Sequence, residues 1–334
     1  SDRNSLNPFK NKWVQRIAVT GVVVIAFHPL KHTFSNHPFQ YQYFNEVVGG
    51  IDAAASKYET DYYYHSTREA YLWLTDNVDW SKYSKKNKLK VATNGLFSVR
   101  YFARHDLKEK VQLSYSRYYV RGTSDWDYYI CVNSYINPSQ LKRGLWPPKN
   151  TAYSVKVDNT PLCAVIERKT RKDLLGSKAL EVGDNFKAIE LLTEAIEENP
   201  MSEIAYLNLA QAYLNIEQYD KGLKVTQDIM KVYPNYDKAL YTRSVIYLNS
   251  GKLKEAIETS KEVLKENPKY DNSYYIMALA YLTAGDVNSA KTNLKKCIDG
   301  MPNFKPAYEL MVQIYQREGN QEMAQRFQGY VNQL

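Results

Sequence analysis

The sequence predicts an α+β chain in which an N-terminal mixed α/β domain is followed by an all-α superhelix of stacked helix pairs. Three observations point there. Pro200, Pro234, Pro268 and Pro302 recur at intervals of 34 residues. Small and aromatic residues recur in phase with them through the second half. Strand-like runs are confined to the first half, where they alternate with helical patterns. At 334 residues the chain is long enough for two domains. The boundaries expected are a linker and short apolar segment over 1–34, an α/β domain over 35–169 and the helical array over 170–334.

Residues 1–12 are polar and read as a linker or a cut end. Residues 13–16, Trp-Val-Gln-Arg, lead into Ile17-Ala18-Val19-Thr20-Gly21-Val22-Val23-Val24-Ile25-Ala26-Phe27. This apolar run falls short of the roughly 20 residues needed to cross a bilayer, and no small-residue cleavage site follows it. Two readings stand. One is a buried β-branched strand, which the length favours; the other is a short or truncated membrane segment with Trp13 and Arg16 at its interfacial end. His28, His32 and His37 come next. A spacing of four would set the first two on one helix face, but Pro29 and Pro38 argue against a continuous helix. With no Cys or carboxylate close by, no metal site is expected.

An aromatic stretch follows: His37-Pro38-Phe39-Gln40-Tyr41-Gln42-Tyr43-Phe44-Asn45, then Val48-Gly49-Gly50 and Glu59-Thr60-Asp61-Tyr62. Residues 66–74 carry a helical pattern, with Ser66 and Glu69 spaced as a capping box. Residues 88–93 are strand-like and end at Asn94-Gly95, and a short helix is expected over Phe97–Arg104. Val111–Tyr119 and Tyr128–Val132 alternate as half-buried strands do. Tyr153–Val157 and Leu162–Arg168 flank Asp158-Asn159-Thr160-Pro161, a hairpin signal. Helices packed on a mixed sheet fit this order.

The His-Pro-Phe-Gln-x-x-Tyr-Phe-Asn element, the Gly-Gly pair, the acidic-x-Asp-Tyr element and a helix containing Trp73-Leu74 resemble the region behind the last transmembrane helix of bacterial membrane glycosyltransferases. Those enzymes are of the protein O-mannosyltransferase and dolichyl-phosphate-mannose-utilising type. Phe39 stands where that pattern has Tyr. The resemblance continues through Trp126-Asp127-Tyr128-Tyr129 and Leu141-Lys142-Arg143-Gly144-Leu145-Trp146-Pro147-Pro148, and covers about residues 15–168. It implies that residues 13–27 are the end of a membrane helix. It implies too that the rest lies on the periplasmic side of the cytoplasmic membrane. The family's catalytic acids lie between earlier membrane helices, so no catalytic role carries over to any residue here.

The second half is explained by its period. A small residue recurs in each first helix as Gly176, Ala210, Ser244, Ala278 and Val312, and a large one three further on as Tyr213, Tyr247, Tyr281 and Tyr315, with Ala179 in the first repeat. Second helices carry Ala188, Gly222, Ala256, Ala290 and Ala324. The turns carry Gly183, Gly251, Gly285 and Gly319, with Glu217 the exception. This is the tetratricopeptide pattern, five repeats over 170–334. Small residues let two helices approach closely; the tyrosines fill the space between pairs.

Such arrays work through a concave face lined by their first helices. The pattern points Leu207, Gln211 and Asn215 into it, followed by Tyr241, Val245 and Asn249. Tyr275, Leu279 and Leu282 come next, then Glu309, Gln313 and Gln316. Apolar and amide side chains predominate, which suits a protein or peptide partner and not a Lys/Arg clamp on a carboxylate.

Composition excludes several alternatives. Residues 1–169 carry 24 Lys+Arg against 14 Asp+Glu, a net +10, leaving −2 for the repeats out of +8 overall. A basic front half fits proximity to an anionic membrane. No Arg-rich helix points to nucleic acid, and the basic run Lys85-Lys86-Asn87-Lys88-Leu89-Lys90 reads as a solvated loop entering a strand. Cys131, Cys163 and Cys297 have no paired spacing and are expected as buried free thiols. Glu59, Asp61, Asp125 and Asp127 are carboxylates without a legible catalytic pairing. The 30 tyrosines are more suggestive. Tyr62, Tyr63, Trp126 and Tyr128 are candidate sugar contacts, although tyrosine is equally a strand and interface residue. No phosphate loop, nucleophile elbow or His-Glu-x-x-His motif is present, and no cofactor is expected.

The function expected is therefore non-catalytic: the extracytoplasmic region of a membrane glycosyltransferase-like protein, whose repeats bind a protein or peptide. A stand-alone tetratricopeptide scaffold without glycosyl transfer is the alternative, and a soluble sugar-active enzyme a third.

Overall fold

The computed structural model describes residues 11–45, 47, 49–103, 109–149 and 151–334. The expected linker over residues 1–10, Val48, and Arg104 at the end of the expected short helix lie outside these. The chain divides into two compact units, Ser1–Arg168 and Lys169–Leu334.

The first unit opens with helix α1, Lys12–Ser35, capped where Asn11 accepts a hydrogen bond from the Trp13 backbone amide (2.9 Å). The apolar run is thus helical and not a strand. It also continues through Pro29, where the sequence predicts a break. Proline removes one intrahelical hydrogen bond, but the turns beyond it stay bonded: Thr33 Oγ1 donates to the Pro29 carbonyl (2.8 Å) and the Asn36 amide to the His32 carbonyl (2.9 Å). Short helices α2 (Gly50–Ala54) and α3 (Ser66–Asn77) follow.

Strands β1 (Leu89–Thr93), β2 (Val111–Tyr115), β3 (Tyr128–Val132), β4 (Thr151–Val157) and β5 (Thr160–Glu167) form one sheet of order β2-β1-β3-β5-β4. β1 pairs in parallel with both β2 and β3, while β3–β5 and β5–β4 are antiparallel. The crossover between β1 and β2 carries α4 (Leu96–Phe102), and α5 (Pro138–Lys142) lies between β3 and β4. Period-two alternation sends Leu89, Val91, Ile130, Val132 and Val165 to one face, where Ala70, Tyr71 and Leu74 of α3 and Val99 of α4 cover them. Ala92, Tyr129, Cys131, Ala164 and Ile166 go to the other, under Tyr118, Trp126, Ile136 and Trp146.

The expected capping box at Ser66 does not form. Ser66 is buried inside α3, its hydroxyl donating to Asp61, and Glu69 pairs instead with Arg68 (2.9 Å). A buried carboxylate outcompetes a backbone amide for the serine.

The second unit is five antiparallel helix pairs: α6 (Lys172–Glu181) with α7 (Asn185–Glu198), α8 (Glu203–Asn215) with α9 (Tyr219–Val232), and α10 (Asp237–Asn249) with α11 (Leu253–Glu266). α12 (Asn272–Thr283) pairs with α13 (Val287–Gly300), and α14 (Lys305–Arg317) with α15 (Gln321–Gln333). The period has a local cause at each join. Each recurring proline stands two residues beyond the end of a second helix, where the helix cannot continue. Within each pair the turn residue has positive φ: 81° at Gly183, 75° at Gly251, 86° at Gly285, 74° at Gly319, and 59° at Glu217, the one non-glycine. The small residues at the helix contacts are buried throughout: Gly176, Ala210, Ser244, Ala278 and Val312 in first helices, Ala188, Gly222, Ala256, Ala290 and Ala324 in second helices. This stacked array is the all-α half of an α+β protein.

Candidate functional site

The first helices α8, α10, α12 and α14 present one register position to the same side in successive repeats: Leu207, Tyr241, Tyr275 and Glu309, at intervals of 34 residues. One turn on come Gln211, Val245, Leu279 and Gln313. Leu207, Tyr241, Val245, Tyr275, Leu279 and Leu282 are half-buried, whereas Gln211, Asn215, Asn249, Glu309, Gln313 and Gln316 are exposed. Apolar side chains thus form a floor, with amides and one carboxylate reaching solvent.

The floor is braced by rings that the repeat pattern does not single out. Tyr241 packs on Tyr270, with centroids 5.0 Å apart, and Tyr275 meets Phe304 edge-on at 5.2 Å. Both partners stand just before a first helix and 29 residues beyond the tyrosine they support, so the contact repeats with the array. Aromatic residues at 236, 270 and 304 were the available signal. Burial raises the pKa of both tyrosine hydroxyls; a hydrogen bond with Asn272 acts against this at Tyr241, while Glu309 and Tyr241 reinforce it at Tyr275. Both hydroxyls are therefore protonated donors at neutral pH. Among the polar members, Gln211 Nε2 donates to Asn215 Oδ1 (2.8 Å), Asn215 Nδ2 to Asn185 Oδ1 (2.9 Å), and Asn249 Nδ2 to the Val245 carbonyl (2.8 Å). The surface has a mixed donor and acceptor character and few fixed charges, which suits a peptide backbone with apolar side chains.

In the first unit the four candidate sugar contacts do not converge on one surface. Tyr62 and Tyr63 are exposed and touch each other edge-on at 5.1 Å; Tyr63 also stacks on His65. Trp126 is buried, its indole Nε1 donating to the Arg121 carbonyl (2.7 Å) and its ring lying under the Arg168 guanidinium at 4.2 Å. It is a packing residue with no face open to a ligand. Tyr128 is half-buried in β3 beside the main core.

The carboxylates are similarly accounted for. Asp61 is fully buried and accepts from Ser66 Oγ, Tyr41 OH (3.1 Å) and Gln42 Nε2 (3.2 Å). Burial holds its pKa above the ordinary aspartate value, with the Ser66 and Tyr41 hydrogen bonds opposing the rise. Residues of two short elements distant in sequence are tied together at this carboxylate. Asp127 accepts from the Lys90 backbone amide (2.8 Å), and Asp125 pairs with the Lys90 ammonium. His32 Nδ1 lies 2.8 Å from Asp158 Oδ2, at the β4–β5 turn. Among the described residues, no three or more His, Cys, Asp or Glu side chains converge to hold a metal ion. Cys131, Cys163 and Cys297 are buried free thiols.

A sequence profile for the second ARM domain of tetratricopeptide repeat protein 21 matches residues 187–319. The second unit is a tetratricopeptide-like helical scaffold suited to protein binding. Among solved structures, a crystal structure of MamA shares 20% identity at a TM-score of 0.41, over 48% of this chain and 93% of its own. MamA from Desulfovibrio magneticus RS-1 shares 19% at 0.42, over 49% and 92% respectively. The thermophilic TPR protein TTC0263 of Thermus thermophilus shares 20% at 0.42, over 47% and 86%. No curated protein matches this chain by sequence.

Proposed function

We propose that this chain is a membrane-anchored, non-catalytic recognition module whose repeat groove holds an extended or helical peptide segment of a protein partner. The observation that carries the reading is the Leu207–Tyr241–Tyr275–Glu309 row, an apolar floor with a polar margin repeated at a fixed interval. Tyrosine supplies large contact area with few rotatable bonds, which is why it dominates recognition surfaces. The anchor is α1. Its 24 residues span about 36 Å at 1.5 Å each, against a hydrocarbon thickness of about 30 Å. Ile17, Val19, Val22, Val23, Val24, Ile25 and Phe27 are all exposed along it. A solvated helix with that many bare aliphatic side chains is explained by lipid contact. The finer reading follows from the sequence resemblance: this is the periplasmic region of a membrane glycosyltransferase-like protein, and the groove recruits a protein to it.

The test is site-specific photo-crosslinking in cells from position 275, with a control position at Lys261 on a second helix, followed by mass spectrometry. One protein, crosslinked from 275 and not from 261, is expected. Its co-purification with the chain should fall about tenfold or more in Tyr241→Ala/Tyr275→Ala, since two aromatic anchors of the groove floor are removed. Undiminished co-purification by the double variant would refute the groove.

A further inference from the structure

Strands β1, β2 and β3 end at one edge of the sheet, at Thr93, Tyr115 and Val132. β5 runs the other way, with Cys163 opposite Val132, so the turn from β4 into β5 lies at this same edge. Helix α1 is tied to that turn, where His32 and Asn36 both bond to Asp158. Before His32 no residue of α1 is buried. Among the described residues α1 is the one helix long and apolar enough to cross a membrane, and it meets the first unit at the carboxyl edge of the sheet. From Lys12 to Lys31 it rises about 28 Å, close to the thickness of a bilayer's hydrocarbon, which sets Lys31 and the adjoining Asp158 turn at headgroup depth.

The two ends of the strands expose different chemistry. Aromatic rings stand at the carboxyl edge: Phe97 just after β1 is 88% exposed, Tyr115 closing β2 58%, and Tyr135 beyond β3 55%. Tyr58, Tyr62 and Tyr63 join them, all exposed. Tyr58 lines a cleft with Tyr135, and Tyr62 follows Thr60, whose hydroxyl accepts from Asn133 Nδ2 (2.9 Å) beside the end of β3. At the opposite edge the strands are entered past exposed charges, with Lys85 and Lys86 before β1, Glu109 before β2 and Asp125 before β3. Lys85 and Glu109 pair there at 3.5 Å. Single exposed apolar residues are ordinary on a soluble surface; six rings gathered at one end of a sheet mark a contact surface.

We infer that the carboxyl edge of the sheet lies on the bilayer surface, its rings seated among the lipid headgroups, while the charged edge faces water. Two features select lipid as the partner. The rings share their edge with the attachment of α1, so the surface they form is the one brought to the bilayer. Five of the six are tyrosines, whose apolar body and hydroxyl tip suit the boundary between acyl chains and water. Lys57 and Glu59 flank Tyr58 with opposite charges, so the contact is made by rings and not by attraction to anionic lipid. The inference rests on α1 being a membrane segment, and adds to that anchor a second contact that sets how the sheet stands on the membrane.

Quenching by nitroxide lipids tests it. Cys131, Cys163 and Cys297 are buried, so a bimane label goes to an introduced surface cysteine: Phe97→Cys or Tyr62→Cys at the aromatic edge, Lys85→Cys at the charged one. The labelled full chain is floated with vesicles of phosphatidylethanolamine and phosphatidylglycerol carrying headgroup nitroxide, and fluorescence is read in the floated fraction. Labels at 97 and 62 should lose most of their emission to the nitroxide, and the label at 85 should keep it. In the Phe97→Ser/Tyr115→Ser background the loss at 62 should shrink, because two rings have left the interface. Flotation reports the anchor and quenching reports the edge, so the two readings fail separately. A floated chain quenched equally at all three positions, unquenched at 97 and 62, or quenched undiminished at 62 without the two rings overturns the inference and leaves the anchor standing. A chain that does not float removes both.

Discussion

Gly176→Ala and Gly329→Ala make the same chemical change in two helices, and the packing predicts opposite signs. An alanine inside a helix stabilises it by about 0.5–1 kcal/mol over glycine, through lower backbone entropy in the unfolded chain. At Gly329 in α15 an added methyl meets nothing within 4 Å, so the whole gain should appear. At Gly176 in α6 the same methyl would stand 2.6 Å from Leu192 Cγ, 2.8 Å from Cδ2 and 3.4 Å from Leu191 Cβ. Leu192 is fully buried, and Cγ is its branch point, so the leucine cannot yield by turning a terminal methyl. Overpacking of that kind costs about 1–3 kcal/mol. Subtracting the helix gain leaves Gly176→Ala destabilised by about 1 kcal/mol, and the two variants about 2 kcal/mol apart. Gly222→Ala falls between them, because its new methyl meets only the terminal Cδ1 of Ile246, at 3.0 Å. Urea titration of the full chain, followed by helical circular dichroism, reads the difference. In a thermal scan each kcal/mol moves the midpoint by about 2–4 °C for a unit of this size. A Gly176→Ala midpoint raised as much as that of Gly329→Ala would refute close helix approach as the reason for the small residue.

Three further expectations follow from the same structure. Glu217→Gly should stabilise the array by about 1 kcal/mol, since a left-handed backbone is costly for any residue with a Cβ; a lower urea midpoint would show the side chain contributing more than the strain. Asp61 has a folded-state pKa raised by burial, so the folded state holds its proton more tightly and this group's contribution to stability falls as pH climbs from about 4 toward neutrality. Asp61→Asn should flatten that fall in denaturation midpoints measured across the range, and an unchanged slope would count against it. The intact chain should float with liposomes in a density gradient, and Val23→Arg should weaken this roughly a hundredfold, an arginine at a membrane-helix centre costing about 2.5–3.5 kcal/mol. Equal flotation of the two would sink the anchor.

What was legible in the sequence, and what was not, has a physical division. The repeats could be read because each pair buries the same few positions against its neighbours, so the same sizes must recur at the same spacing. The turn at Glu217 kept its left-handed backbone without glycine because the helices on either side fix it. In the first half the hairpin and β3 could be read from period-two alternation, but α1 could not. Its Val22-Val23-Val24-Ile25 run has strand propensity, and Pro29 looks like a terminator; propensity differences of a few tenths of a kcal/mol do not decide a segment that leaves its apolar side chains uncovered. The role of Ser66 is hidden in the sequence because Asp61, five residues earlier, competes for its hydroxyl. The rings behind the groove tyrosines escape notice for another reason: they lie outside the repeat pattern's signature positions, though they share its period. That Tyr64 stacks on Tyr135 depends on tertiary folding alone, and no local pattern announces it.

The junction between α1 and the sheet has a mechanical meaning. His32 and Asn36 sit one turn apart on the last part of the helix, and both grip Asp158: His32 Nδ1 at 2.8 Å and Asn36 Nδ2 at 2.7 Å, while Asn36 Oδ1 accepts from the Asp158 amide at 3.2 Å. Burial alone would lift the Asp158 pKa, but the Asn36 and His32 hydrogen bonds bring it below the ordinary value, so the grip persists through mildly acidic conditions. Three hydrogen bonds thus meet at one hairpin tip, and a single aspartate ties the end of the long helix to the antiparallel edge of the sheet.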